Sequence, residues 1–108
     1  MSRYLLIESR DPFDSPDTGF VHDLSRKLAE GGHEVTIFLV QNGVLPARPC
    51  IHSAALTSLA QAGVTILADD FSLRERGIGA SSLVPGVRAA ALDVVIDSMA
   101  GGAKLIWH

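Results

Sequence analysis

One cysteine, Cys50, is the whole thiol complement of this 108-residue chain. A lone thiol closes no internal disulfide and builds no cysteine zinc cluster, which fits a reducing compartment. Positive charge is also short: 9 Lys and Arg stand against 12 Asp and Glu, leaving a net charge of −3. Without clustered cations to meet a phosphate backbone, a nucleic-acid partner is not expected. Long apolar runs are missing too, since none approaches the roughly 20 residues that cross a bilayer. Glu8, Arg10 and Asp11 interrupt the N-terminal stretch where a signal peptide stays apolar. The expectation is a cytoplasmic protein with no membrane partner. No Walker loop, Rossmann glycine fingerprint or Ser/His/Asp nucleophile elbow is present. The four histidines, His22, His33, His52 and His108, include no i, i+4 pair, so neither a metal site nor a cofactor is expected.

What the chain does have is a core. Apolar residues make up 47% of it and charged residues only 19%, enough for one compact domain over residues 1–108. Short apolar runs alternate with helical periodicity. Tyr4-Leu5-Leu6-Ile7 reads as a strand buried on both faces. "SPDTG" follows, with Ser15 or Asp17 placed to cap a helix and Pro16 suited to its first turn. Val21, Leu24 and Leu28 then recur at helical spacing until Gly31-Gly32 stops them. Residues 34–40, "EVTIFLV", are a second strand rich in β-branched side chains, and "QNGVLPARPC" is a loop broken by Gly and Pro. A helix over 51–62 with Ala55, Leu56, Leu59 and Ala60 inward ends at Gly63, and "VTIL" is the third strand. "FSLRER" makes a helical turn, "IGASSLVPG" a loop and "VRAA" a brief fourth strand. A helix over 91–100 carries a Leu92, Val95, Ile96 and Met99 stripe before a final strand, "KLIW". This alternation predicts an α/β fold of three layers, α/β/α, with a mainly parallel five-stranded sheet and right-handed crossovers.

In such sheets, ligands gather at the carboxyl ends of strands. Two carboxylates, Asp69 and Asp70, stand there in "VTILADDFSLRERG". They can bind a hard cation, act as a general base or recognise a cationic ligand. Equally, one can cap the helical turn from Phe71 to Arg76 while the other pairs with Arg74 or Arg76. Cys50 sits before a helix start with Arg48 and His52 near in sequence, an environment that favours a reactive thiolate. It also fits an inert small apolar residue. The loop 8–19 lies where a phosphate cradle is found in related folds, but Glu8, Asp11, Asp14 and Asp17 repel an anion. Val44, Leu45, Ile51, Ile78, Leu83 and Val84, apolar residues in loops, predict surface that a homo-oligomer covers.

"GGHEVTIFLVQNGVL" (31–45) resembles the second-strand block of the DsrE-like sulfur-relay family, which includes the DsrE, DsrF, DsrH and Tus proteins. There a Gly-His precedes the strand and a Gly-Val follows it. "AGVTILADDFSLRERGI" (62–78) is similar to the next block, where the third strand leads into a short helix ending in Arg-Gly. "LVPGV", a helix and a terminal strand fit the remainder. The resemblance implies the three-layer fold, oligomers of two, three or six subunits, other sulfur-relay proteins as partners, and a cysteine at the end of strand three that carries persulfide sulfur. It places Asp69 where that cysteine stands; the ligand-binding candidates in this sequence are Asp69, Asp70, Arg76 and Gly43. Persulfide transfer needs a soft thiolate that forms a reversible S–S bond, which a carboxylate cannot supply. The expectation is therefore a non-catalytic oligomeric binding or accessory protein of intracellular sulfur metabolism. The alternative is a persulfide carrier or redox protein with Cys50 as its catalytic residue. Hydrolytic or cation-dependent activity at Asp69 and Asp70 is a third reading.

Overall fold

Register across the sheet explains both the core and the site. In the computed structural model, which describes residues 2–108, five strands run β1 (Arg3–Glu8), β2 (Glu34–Leu39), β3 (Thr65–Asp69), β4 (Val87–Ala90) and β5 (Lys104–Trp107). Their order is β4-β3-β2-β1-β5 and every neighbouring pair is parallel. Side chains alternate between faces along each strand. One transverse row therefore reads Ile106, Leu6, Ile37, Ile66 and Val87, and the next row, on the opposite face, reads Trp107, Ile7, Phe38, Leu67 and Arg88.

The two faces are covered unequally. On the first, α1 (Thr18–Glu30) and α2 (Ser53–Gln61) lay Val21, Leu24, Leu28, Leu56 and Leu59 over the sheet, building the larger core cluster. On the second, α4 (Asp93–Ala100) is alone, and only Val94 and Val95 pack against Leu5, Ile7, Phe38, Val40 and Leu67. Eight residues make little more than two turns, too short to roof that face. The predicted stripe of this helix is therefore split: Val95 packs inward, whereas Leu92, Ile96 and Met99 are exposed. Periodicity finds a helix's apolar positions but not how much partner surface they meet.

The connections also depart from the sequence reading. "QNGVLPA" forms a 3-10 helix over Gln41–Ala47, and Gly43 lies so close to β1 that an added Cβ would fall 2.2 Å from the Glu8 carbonyl oxygen. Val44, Ile78 and Val84 are core residues, Leu45 and Leu83 pack against them, and of the six loop residues expected at the surface only Ile51 is exposed. Buried connections need backbone partners; Val84 N–H, for example, donates to the Ala47 carbonyl at 2.8 Å. α1 begins after Asp17, whose carboxylate does not cap it. Among the described residues, no helix is long and apolar enough to cross a membrane.

Candidate functional site

β3 ends in a carboxylate that the fold consumes locally. Asp69 is buried and is the N-cap of α3 (Asp70–Glu75). Its Oδ2 accepts from Ser72 N–H at 3.0 Å and from Ser72 Oγ–H at 2.7 Å. The first bond satisfies one of the orphan donors that open any helix. Ser72 Oγ in turn accepts from Gln41 N–H at 2.8 Å. That bond helps hold Gln41 at φ +52°, a left-handed conformation uncommon for a residue other than glycine. One hydroxyl thus ties the end of β3 to the segment leaving β2. Asp70 points elsewhere: it meets Arg74 one helical turn on at 3.8 Å, both side chains substantially exposed, an arrangement that adds little stability.

Beside Asp69 the sparsely roofed sheet face opens into a cleft of about 840 Å³. Ile7, Val40 and Val95 line its apolar floor, and Phe71, Leu92, Ile96 and Trp107 are exposed along its walls. Gln41, Asn42, Ser72, Glu75 and Arg76 supply the polar rim beside Asp69. Arg76 closes α3 and directs its guanidinium at neutral oxygens: Nε and Nη2 donate to Asn42 Oδ1 at 3.1 and 2.9 Å, and Nη1 to the Ser72 carbonyl at 3.1 Å. A mostly apolar concavity with a few fixed polar groups has the makeup of a small-molecule site.

Of the five candidates from sequence, the structure brings Asp69 and Arg76 to this cleft. Gly43 is buried behind it, where its lack of a side chain permits the close approach to β1. Asp70 is not part of its lining, and neither is Cys50. Cys50 is half-buried in the turn before α2, where its N–H donates to Ser53 Oγ at 2.8 Å. Ser53 Oγ also lies 3.4 Å from Cys50 Sγ and 2.7 Å from the Arg48 carbonyl. His52 is engaged by Phe13, ring edge to face at 4.5 Å between centroids. Ser53 and backbone atoms organise the turn that holds this thiol.

A polar cluster that sequence reading missed occupies the same end of the sheet. Glu8, almost wholly buried at the end of β1, takes His108 Nδ1 at 2.8 Å, and His108 Nε2 reaches Asp17 Oδ2 at 3.2 Å. Arg10 Nη1 donates to the same Asp17 oxygen at 3.2 Å. Desolvation raises the Glu8 pKa above its ordinary value, outweighing the hydrogen bond and charge of His108. Hydrogen bonds from Ser15, together with His108 and Arg10, lower that of Asp17. The four acidic residues of loop 8–19 thus act differently: Glu8 and Asp17 clamp His108, while Asp11 Oδ1 accepts the Phe13 N–H at 2.9 Å within the loop. Only the strand pairing of β1 with β5 brings residues 100 positions apart together. Among the described residues, no group of His, Cys, Asp and Glu is arranged to hold a metal ion.

Comparison with known proteins agrees with this architecture. The model of the DsrE/DsrF-like family matches residues 2–107. Among solved structures, the protein of unknown function MTH1491 from Methanobacterium thermoautotrophicum superposes with a TM-score of 0.86 at 18% identity, over 100% of both chains. The ychN protein from E. coli gives 0.81 at 18%, again over 100% of both. The conserved protein of unknown function BT1422 from Bacteroides thetaiotaomicron gives 0.82 at 18%, covering 99% of this chain and 95% of its own. At that identity the structural likeness establishes the fold. No curated protein sequence matches.

Proposed function

The chain belongs to the DsrE/DsrF-like family, and from that premise we propose that it is a non-catalytic, self-associating binding subunit serving sulfur metabolism in the cytoplasm. One observation carries the reading: the end of β3, where the sulfur-carrying relatives place their cysteine, holds a buried carboxylate committed to capping α3. The cleft beside it keeps the shape of a binding site without a soft nucleophile among its lining residues. Cys50, the remaining thiol, is not among the residues that line this cleft. Self-association is supported by Met99 and Leu105, which continue the exposed apolar surface of Leu92, Ile96 and Trp107 beyond the cleft.

Incubation with a limiting persulfide donor, followed by intact-mass measurement and sedimentation, tests the proposal. The expected outcome is an oligomer that gains the mass of one sulfur atom no faster than the same chain in urea. Rapid stoichiometric gain, abolished by Cys50→Ser, would establish a carrier using that thiol instead. A strictly monomeric protein would remove the self-association.

A further inference from the structure

We propose that the cleft takes a small amphipathic cation, an ammonium group carried on an aromatic or aliphatic body. This deepens the reading of the cleft as a binding site and rests on it.

Asp69 supplies the first reason. It is only 7% exposed, and both of its bonds from Ser72 end on Oδ2, leaving Oδ1 without a hydrogen-bond partner among the described residues. No side-chain oxygen that is fully buried lacks a partner among the described residues. Oδ1 therefore keeps some accessible surface, and Asp69 lines the cleft. A carboxylate oxygen held in mostly apolar surroundings is strongly favoured to take a hydrogen-bond donor, and a charged donor most of all.

The balance of charge gives the second. The charged side chains lining the cleft are Asp69, Glu75 and Arg76, two carboxylates against one guanidinium. Three nitrogens of that guanidinium are turned onto Asn42 Oδ1 and the Ser72 carbonyl, so it braces the rim. A cationic ligand completes this set, whereas an anion meets Asp69.

The walls give the third. Trp107 and Phe71 present exposed aromatic surface, and Leu92 and Ile96 present exposed aliphatic surface. Aromatic faces attract cations as well as apolar groups. A volume of about 840 Å³ lies within the range of small-molecule sites.

Trp107 is the only tryptophan, so its fluorescence reports on this wall alone. Phenethylamine, phenethyl alcohol and hydrocinnamate share one aromatic body and differ in the head group, which makes them the probes. The amine is expected to bind saturably and about tenfold tighter than the alcohol, the acid weakest, as a charge-assisted bond predicts. Asp69→Asn preserves a capping oxygen and should erase the amine's advantage over the alcohol. Should that variant fold poorly, Glu75→Gln, at an exposed position, is expected to weaken the amine severalfold relative to the alcohol.

A preference that survives Asp69→Asn overturns Asp69 as the partner of the cation, and equal binding of amine and alcohol overturns the cationic assignment while the cleft stands as a binding site. Tightest binding by hydrocinnamate does the same, and transfers the head group to Arg76. Silence of Trp107 toward all three probes overturns the inference outright. The persulfide measurement at Cys50 decides the non-catalytic reading separately.

Discussion

Replacing Asp69 by alanine tests the local claim that its carboxylate is spent on the fold. Two bonds disappear. Loss of an N-cap costs about 1 to 2 kcal/mol. The second bond, from the Ser72 hydroxyl, is buried and ends on a charged acceptor, and bonds of that kind contribute on the order of 1.5 kcal/mol. Ser72 can turn its proton elsewhere and keep accepting from Gln41 N–H, so the two figures do not add fully. The expected loss is about 2 to 3 kcal/mol, which moves the urea midpoint by about 1 to 2 M for a domain of this size. Asp69→Asn retains the oxygen that caps α3 and should cost under about 1 kcal/mol. Equilibrium unfolding in urea, followed by far-UV circular dichroism, measures both. The reasoning is refuted if alanine is tolerated within about 0.5 kcal/mol, the usual range for an unimportant surface change. It also fails if asparagine is as damaging as alanine, because charge and not the cap would then be decisive.

Two further outcomes follow from buried features at the same end of the sheet. Gly43→Ala places a Cβ 2.2 Å from a backbone oxygen that cannot swing away, so strands and 3-10 helix must part. The expected loss is about 3 kcal/mol, the upper end for overpacking, seen as a melting temperature lower by roughly 10 °C or more; an unchanged melting curve would refute the close approach. For Glu8, desolvation raises the folded-state pKa above 4.5, so the folded protein holds this proton more tightly than the unfolded chain. Its contribution is full below that pH and is lost as pH rises through the folded-state value. Glu8→Gln keeps an acceptor for His108 and should flatten the decline of stability above pH 4.5 in urea titrations, whereas identical slopes would contradict it.

The strands were legible because their residues are apolar on both faces, as in "TIFLV" and "TILA", a pattern that a central parallel strand requires. The end of β3 was legible as well, since a carboxylate before a short helical run has few other local uses, and both the Asp69 cap and the Asp70 pairing with Arg74 match that reading. Val44, Ile78 and Val84 misled because loop residues carry no periodic signal of the face they meet, and only the folded connections show that they seal the core. Glu8 and His108 could not be paired from sequence at all. Their contact depends on β5 returning to the free side of β1, after the chain has laid down β2, β3 and β4 on the other. Arg76 was found, but its bond to Asn42 crosses between two connections that have no common pattern.

That late return of β5 has a dynamic consequence. The strand hydrogen-bonds to β1 alone, and α4, which precedes it, buries no residue fully. Segments with few buried apolar contacts open at lower free energy than the rest of a domain. Amide protons of Asp93–Trp107 should therefore exchange with deuterium well before those of β2 and β3, and each opening carries away the Trp107 wall of the cleft. A bound molecule or a second copy seated on this face would register first as slowed exchange in that terminal unit.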